Sequence, residues 1–230
     1  MGLILNIETS TTNCSVALSK NDVVLFLQEE AQQKYSHGEK LHLFIDTVFK
    51  QTGISINALD AIAISKGPGS YTGLRIGVSA AKGLCYALDK PLIATSTLEA
   101  QARQVVPTKK ALIISLLDAR RMEVYAAIYD ENFKEVRGVK AEVLSESLYR
   151  NYLSPESNLY VIGNAVQKTK TVLDTTTNDS AIRYIETLPS AREMAVMANL
   201  KYELGDIEDI AYFEPFYLKD FLAIKPKSLF

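Results

Sequence analysis

The sequence predicts an α/β protein of two lobes, each a mixed sheet with helices on its faces. The main observation is an order of elements (three strands, helix, strand, helix, strand) that occurs twice along the 230 residues. Runs such as Leu59–Ser65 and Ala111–Leu117 are almost continuously apolar, which is typical of strands buried on both faces. Pro107 and two lysines interrupt the pattern, so we expect the boundary between the lobes within Gln104–Lys110.

The first lobe is predicted to span residues 1–104. The S-x-x-E form of Ser36–Glu39 is a capping box and predicts a helix that ends near Gly53. A second helix is predicted over Gly73–Leu88, with Thr72 as its N-cap. The predicted strands are Leu3–Glu8, Cys14–Ser19, Val23–Gln28, Leu59–Ser65 and Pro91–Thr95.

The second lobe is predicted to span residues 105–214, and residues 215–230 form a mildly basic C-terminal extension. Its predicted strands are Ala111–Leu117, Glu123–Tyr129, Glu135–Val143, Leu159–Gly163 and Ile182–Glu186. Its predicted helices are Ser145–Leu153, Asn164–Asp174 and Pro189–Gly205.

Composition and charge exclude several classes of protein. A formal net charge of −2 provides no overall attraction to nucleic acid, which binds through Lys and Arg. Cys14 and Cys85 are too few and too far apart for a disulfide framework or a CxxC metal site. The N-terminus lacks the basic region of a signal peptide, and no stretch approaches the ~20 apolar residues of a membrane span. We therefore expect a cytoplasmic protein.

The strongest local motif is the glycine-rich loop Gly67–Gly73. It follows a buried strand and opens a helix, where backbone N–H groups and the helix dipole favour an anion. The loop lacks the Gly-Lys-Ser/Thr ending of a P-loop, and its G-x-G-x-x-x-G spacing differs from the dinucleotide fingerprint. Contact with a ligand or partner and a plain strand-to-helix turn both remain open. Arg75, one turn into the helix, is either an anion ligand or an ordinary surface arginine.

Polar residues at two strand ends could complete an anion site. Glu8–Ser10 follows the first strand, and Asp118 follows the strand Ala111–Leu117. A polar turn and a structural ion pair are the respective alternatives. The candidate nucleotide- or anion-binding residues are Glu8, Thr9, Ser10, Gly67, Gly69, Ser70, Thr72 and Asp118.

No metal site or catalytic nucleophile is predicted. His37 and His42 are the only histidines, and their spacing of five does not place them on one helical face. Neither a third ligand nor a nucleophile–base pair is visible in the sequence.

In order along the chain, several segments resemble the bacterial TsaB family, also called YeaZ. The most specific is Gly67–Gly77, with the sequence GPGSYTGLRIG. The others are Ile4–Ser10, Cys14–Leu18, His37–Glu39, Ser96–Ala100, Leu117–Arg121 and Pro215–Lys219. The resemblance spans nearly the whole chain.

The resemblance implies a two-lobed fold of the actin/Hsp70/sugar-kinase (ASKHA) type. It also implies a non-catalytic role beside the related subunit TsaD, which transfers a threonylcarbamoyl group to adenosine N6 next to the tRNA anticodon, together with the ATPase TsaE. Leu41 stands where the TsaD metal motif H-x-x-x-H has its second histidine, and Asp118-Ala119-Arg120 replaces the nucleotide-binding D-x-G turn. Glu8 replaces the usual aspartate, and Gly163 stands alone where a Gly-Gly adenosine motif is expected.

From the same resemblance we expect TsaD to dock on the helix after the His-x-Glu box and the helix after the glycine loop. The small residues Gly77, Ala80 and Ala81 are expected to let a partner helix approach. In isolation this surface is expected to allow a homodimer. The predicted docking residues are Leu41, Ile45, Val48, Arg75, Val78, Lys82 and Tyr86.

Three rival functions remain open from sequence. The first is an independent small ASKHA-type kinase or ATPase, which would bind Mg-ATP and turn it over. The others are a metallopeptidase-like protein and a generic protein-binding module. Under the subunit interpretation ATP or ADP is expected only at the interface of the complex, no metal is expected, and tRNA is contacted only indirectly.

Overall fold

The computed structural model describes residues 2–31, 37–152, 158–173 and 182–219. The first lobe is a five-stranded sheet in the order β3-β2-β1-β4-β5. β1 is antiparallel to β2 and parallel to β4, so the predicted mixed sheet is confirmed. Its elements are β1 (Leu3–Glu8), β2 (Asn13–Lys20), β3 (Val23–Ala31), α1 (His37–Thr52), β4 (Ala61–Ser65), α2 (Tyr71–Leu88) and β5 (Leu92–Thr95).

The core of the first lobe lies between this sheet and the two helices. Alternate residues of a strand point to opposite faces, and Leu5 and Ile7 point towards α1 and α2. These helices contribute buried side chains at helical spacing, which explains their periodic sequence pattern. The buried helix residues of this core include Leu41, Phe44, Ile45, Val48, Val78, Ala81 and Cys85.

The second lobe is also a five-stranded mixed sheet, in the order β10-β9-β6-β7-β8. The predicted helix over Ser145–Leu153 is wrong for the residues described, because only a 3₁₀ turn at Arg150–Tyr152 forms there; Leu153 lies outside them. The repeated element order is therefore incomplete in this lobe. Its elements are β6 (Leu112–Asp118), β7 (Glu123–Asp130), β8 (Glu135–Val143), β9 (Leu159–Gly163), α4 (Val166–Leu173) and β10 (Ile182–Ile185).

Two helices do not follow the predicted division of the chain. α3 (Thr97–Ala102), which the sequence pattern did not predict, packs against the second sheet through Leu98 and Ala102. α5 (Met194–Leu204) packs on the first sheet, where Met194, Met197 and Ala198 meet Ile4 and its neighbours. Assigning all of residues 105–214 to the second lobe is therefore wrong.

The end of the described chain also returns to the first lobe. Glu208 forms a β-bridge with Leu92, and the Phe216 amide donates a 2.7 Å hydrogen bond to the Lys66 carbonyl. The predicted extension thus begins as a strap across the first lobe, while residues 220–230 of it lie outside the described part.

Gln101 joins α3 to the second sheet. Its side-chain Nε2 donates hydrogen bonds to Ser115 Oγ, the Leu116 carbonyl and the Ile162 carbonyl at 2.9, 3.0 and 3.1 Å. Buried amides of this kind fix the relative position of the elements they join. Among the described residues, no helix combines the length and apolarity needed to cross a membrane.

Candidate functional site

The glycine loop lies directly against the turn that follows β1. The Ser70 amide donates to the Ser10 carbonyl at 2.6 Å, and the Thr9 hydroxyl donates to the Gly73 carbonyl at 2.9 Å. Both segments were predicted to contribute to one site, and the structure does bring them together. They meet by direct backbone contact.

Three glycines make this contact possible. A Cβ on Gly69 would lie 2.5 Å from the Ser10 carbonyl oxygen, and a Cβ on Gly73 would overlap the Thr9 carbonyl oxygen. At Gly77, it would overlap the Thr9 hydroxyl. The three glycines thus allow Thr9 and Ser10 of the same chain to approach closely. Gly77 faces the core of its own lobe instead of a partner helix. Its predicted role in admitting that helix is wrong.

Glu8 is completely buried beneath this contact. Its Oε1 accepts a 2.5 Å hydrogen bond from the Ser10 amide, and the Ser10 and Ser65 hydroxyls lie beside the carboxyl. Burial raises the pKa of the Glu8 carboxyl above its ordinary value, against the lowering effect of the bonds with Ser10. Burial therefore disfavours the charged carboxylate, the form that would be needed to hold a metal-bound phosphate.

Replacing Glu8 with Gln is expected to stabilise the protein at neutral pH by about 1–3 kcal/mol, because the neutral amide avoids the desolvation cost of a buried carboxylate. The Gln amide keeps the acceptor for the Ser10 amide, removes the buried charge and provides a donor for the Ser65 hydroxyl, which lies against the Glu8 carboxyl. From the ordinary value of 4.5 up to the raised pKa, the folded state retains a proton that the unfolded state has lost. The wild-type free energy of unfolding therefore falls as pH rises through this window, and the variant should lose that dependence.

Chemical denaturation across this pH range measures both effects. Glu146→Gln is the control, because Glu146 is exposed and its replacement should change stability by less than about 0.5 kcal/mol. A Glu8→Gln variant that is less stable than wild type at neutral pH would show that Glu8 is held as a needed charge.

The remaining residues of the predicted anion site lie apart or act as structural groups. Ser70 is the N-cap of α2, and its Oγ accepts from the Gly73 amide at 3.3 Å, so the prediction of Thr72 as cap is wrong. Thr72 is exposed on the outer side of α2. Asp118 lies at the end of β6, where it accepts from Lys168 and from the Arg120 amide.

A groove of about 640 Å³ runs between α1 and α2. The side chains along α2 are small and leave this space unfilled. A Cβ on Gly83 would meet no atom within 4 Å. The groove combines an apolar floor with a polar rim, as protein-binding surfaces do. Its lining residues are His42, Tyr71, Thr72, Arg75, Ile76, Ser79, Ala80, Gly83 and Leu84.

Four of the seven predicted docking residues do not reach this surface. Leu41, Ile45, Val48 and Val78 are at most 6% exposed and belong to the core between the helices and the sheet. Assigning them to the docking surface is therefore wrong. A charge placed at Val78 would unfold the lobe and could not test docking.

The other three predicted docking residues divide between two roles. Arg75 lines the groove, and Tyr86 is 86% exposed further along α2. Lys82 instead holds the C-terminal strap, because its Nζ donates to the carbonyls of Ala211 and Phe213 at 3.3 and 3.2 Å.

A second cavity, of about 480 Å³, lies between the lobes. Glu29, Glu30 and Glu186 line it, and none of its described lining residues is a lysine or arginine. Glu30 is paired with Lys40, but the described lining still offers phosphate groups no cationic ligand. Within the described residues no cluster of three or more His, Cys, Asp or Glu side chains could hold a metal ion.

Sequence reasoning missed Gln101, Ser70 as a cap, and the groove-facing Ser79 and Gly83. Ser70 could have been predicted from the sequence, because serine is as good an N-cap as threonine and it lies three residues before Gly73. Gln101 has no such signal, because a lone glutamine in sequence does not reveal that it will be buried against the second sheet.

Comparison with known proteins agrees with the predicted resemblance. The family model for TsaD, tRNA N6-adenosine threonylcarbamoyltransferase, matches residues 29–226. The tRNA threonylcarbamoyladenosine biosynthesis protein TsaB of Haemophilus influenzae is 30% identical over 228 residues, covering 94% of this chain and 93% of that protein. The Escherichia coli protein of the same name is 29% identical, with 96% of each chain covered.

Solved structures show the same architecture. YeaZ from Pseudomonas aeruginosa has a TM-score of 0.78 at 24% identity, covering 95% of this chain and 100% of that one. The activator of 2-hydroxyisocaproyl-CoA dehydratase from Clostridium difficile, solved with bound ADPNP, has a TM-score of 0.52 at 10% identity, covering 90% and 97%. The predicted ASKHA-type fold is confirmed.

Proposed function

Because this chain belongs to the TsaB family, we propose that it is a non-catalytic subunit supporting a TsaD-type transferase. Its pathway is the biosynthesis of tRNA threonylcarbamoyladenosine. In the proposed complex, the transferase moves a threonylcarbamoyl group to N6 of the adenosine beside the anticodon, and a TsaE-type ATPase is the third component.

The contact between the glycine loop and Glu8–Ser10 is the observation that carries the proposal. In a nucleotide-using member of the fold these two segments would have to face a phosphate. Here Glu8, Thr9 and Ser10 are at most 1% exposed, and the loop amide of Ser70 is already bonded to Ser10. A chain with this arrangement would support the complex by binding its partner, and not by nucleotide chemistry.

The groove between α1 and α2 is the proposed docking surface for the transferase. It is lined by Arg75, Ile76, Ser79 and Gly83, with the exposed Tyr86 beyond it. Tyrosine and arginine are the residue types that most often anchor interfaces. In the absence of the transferase, the same surface is available to a second copy of the chain.

A nucleotide, where one is needed, is proposed to bind at the interface of the complex. Both predicted phosphate-binding segments of this chain are engaged with each other, and the cavity between the lobes is lined with glutamates. Phosphate ligands therefore have to come mainly from the partner subunits.

Reconstitution tests this function. Threonylcarbamoyl transfer to unmodified tRNA is measured with the cognate TsaD and TsaE proteins, with and without this chain. We expect transfer to depend on the chain and to saturate at a one-to-one ratio with TsaD.

Omitting TsaD is the matched control, and this chain alone should then give neither transfer nor ATP turnover. Transfer of equal rate without the chain would overturn the proposal. ATP turnover by the chain alone would favour the independent kinase or ATPase.

A further inference from the structure

The turn between β6 and β7 carries two adjacent arginines at an exposed tip. Arg120 and Arg121 have φ values of 69° and 50°, a region that residues other than glycine rarely adopt. Turns of this shape usually take Asn, Asp or Gly. Unfavourable backbone conformations of this kind concentrate at functional sites, and here they fall on two adjacent exposed arginines.

The turn is held in place from below by Lys168 of α4. Its Nζ donates to the carbonyls of Arg121 and Glu123 at 3.0 and 2.6 Å, and to Asp118 Oδ1 at 3.1 Å. Asp118 also accepts from the Arg120 amide at 2.6 Å, so its charge is already engaged. Within the described part of the chain, neither Arg120 nor Arg121 has an ion pair.

A row of tyrosines and cations connects this turn to α2. The rings of Tyr71 and Tyr217 lie 4.9 Å apart, and the Arg75 guanidinium lies 5.1 Å from the Tyr71 ring. Two residues beyond Tyr217, the Lys219 ammonium lies 5.6 Å from the Tyr125 ring and pairs with Glu123.

Arg120 closes this row. It lies in the turn that leads into β7, where the Glu123 amide, two residues before Tyr125, donates to the Arg120 carbonyl at 3.1 Å. We call this surface the cationic ridge; it consists of Arg75, Tyr71, Tyr217, Lys219, Tyr125 and the pair Arg120–Arg121. It begins at the docking groove and crosses both lobes.

The charges along the ridge do not cancel. Glu123 is paired with Lys219 and Asp118 with Lys168, which leaves the exposed Arg120 and Arg121 without an ion pair among the described residues. This local excess of positive charge stands out in a chain of net charge −2. Arginines neutralise phosphates, and tyrosine rings stack on unpaired bases.

We propose that the cationic ridge contacts the phosphate backbone of the tRNA once the chain is docked on the transferase. This inference rests on the proposed function, since the ridge is continuous with the docking groove through Arg75. It changes the sequence-based expectation that tRNA is contacted only indirectly. The tyrosines provide additional contact where unpaired bases approach.

Binding of fluorescently labelled, unmodified tRNA to the complex of this chain with the cognate TsaD tests the proposal. The variant is Arg120→Glu with Arg121→Glu, which leaves the groove untouched. We expect tRNA affinity to fall about tenfold or more near 0.1 M salt, because the variant loses phosphate contacts. Each such contact contributes roughly 0.9 to the slope of log affinity against log salt concentration. The slope of log affinity against log salt should fall by about 1 per lost contact.

The control is Lys109→Glu with Lys140→Glu, which makes the same change in net charge at exposed sites outside the ridge. Unchanged affinity and salt slope in the arginine variant, with transfer still dependent on the chain, would overturn the RNA contact and leave the proposed function standing. If the arginine variant instead fails to form the complex, the ridge binds protein and the RNA proposal is wrong. If the wild-type chain forms no complex, the proposed function itself fails.

Discussion

Replacing Gly83 with Arg is expected to abolish formation of the complex with TsaD while leaving the chain folded. Gly83 lies in the groove between α1 and α2, and a Cβ there would meet no atom of the chain within 4 Å. Arginine is among the good helix formers, whereas glycine is less favourable in a helix than alanine by about 0.8–1.0 kcal/mol. The long side chain would therefore fill the groove without disturbing the lobe beneath it. Size-exclusion chromatography with thermal unfolding measures both outcomes.

Thr171→Arg is the control for this experiment. It adds the same charge to an exposed helical position of α4 in the second lobe, so the complex should form normally. If Gly83→Arg binds TsaD as wild type does, the groove is not the docking surface. Loss of the homodimer alone, with the heterodimer intact, would assign the groove to self-association.

Replacing Gly73 with Ala is expected to destabilise the first lobe by about 1–3 kcal/mol, the usual cost of an overpacked site. The added methyl would overlap the Thr9 carbonyl oxygen, which belongs to the backbone and has little freedom to move. It would also disturb the 2.9 Å bond from the Thr9 hydroxyl to the Gly73 carbonyl. The free energy of unfolding by urea measures the effect.

The matched control is Gly83→Ala, the same substitution in the same helix at a position with open space. It should raise stability by up to about 1 kcal/mol through helix propensity alone. Equal stabilities of the two variants would contradict the close contact between the glycine loop and the β1 turn. Without that contact, the structure would give no reason to exclude phosphate binding at the glycine loop.

Strands such as β1 and β9 were predictable because burial on both faces leaves a nearly continuous apolar pattern, whereas β8 is a largely exposed edge strand. β1, β8 and β9 have the predicted bounds, and α1 and α2 differ from prediction only near their ends. The helix expected over Ser145–Leu153 does not form in the described residues, although Leu148, Tyr149 and Tyr152 pack on the second core as their helical spacing predicts. Local pattern alone does not decide such a segment, since helical stability comes mostly from tertiary contacts.

The docking residues were mispredicted for a related reason. The periodicity of Leu41, Ile45 and Val48 correctly identifies an apolar face of α1, but periodicity does not say what covers it. In the structure this face lies on the chain's own sheet. The outward face is marked by small and polar residues such as Ser79 and Gly83, which carry little signal in sequence.

The sequence by itself determined the two mixed sheets, the family resemblance and the importance of Gly67–Gly73, because these depend on local patterns and ordered motifs. Only the tertiary structure decided what the glycine loop contacts. Whether its backbone amides face a ligand or the chain depends on the path of Glu8–Ser10, about 60 residues earlier, which no local rule encodes. The return of α5 to the first sheet likewise depends on which apolar face remains uncovered, a property of the assembled lobes.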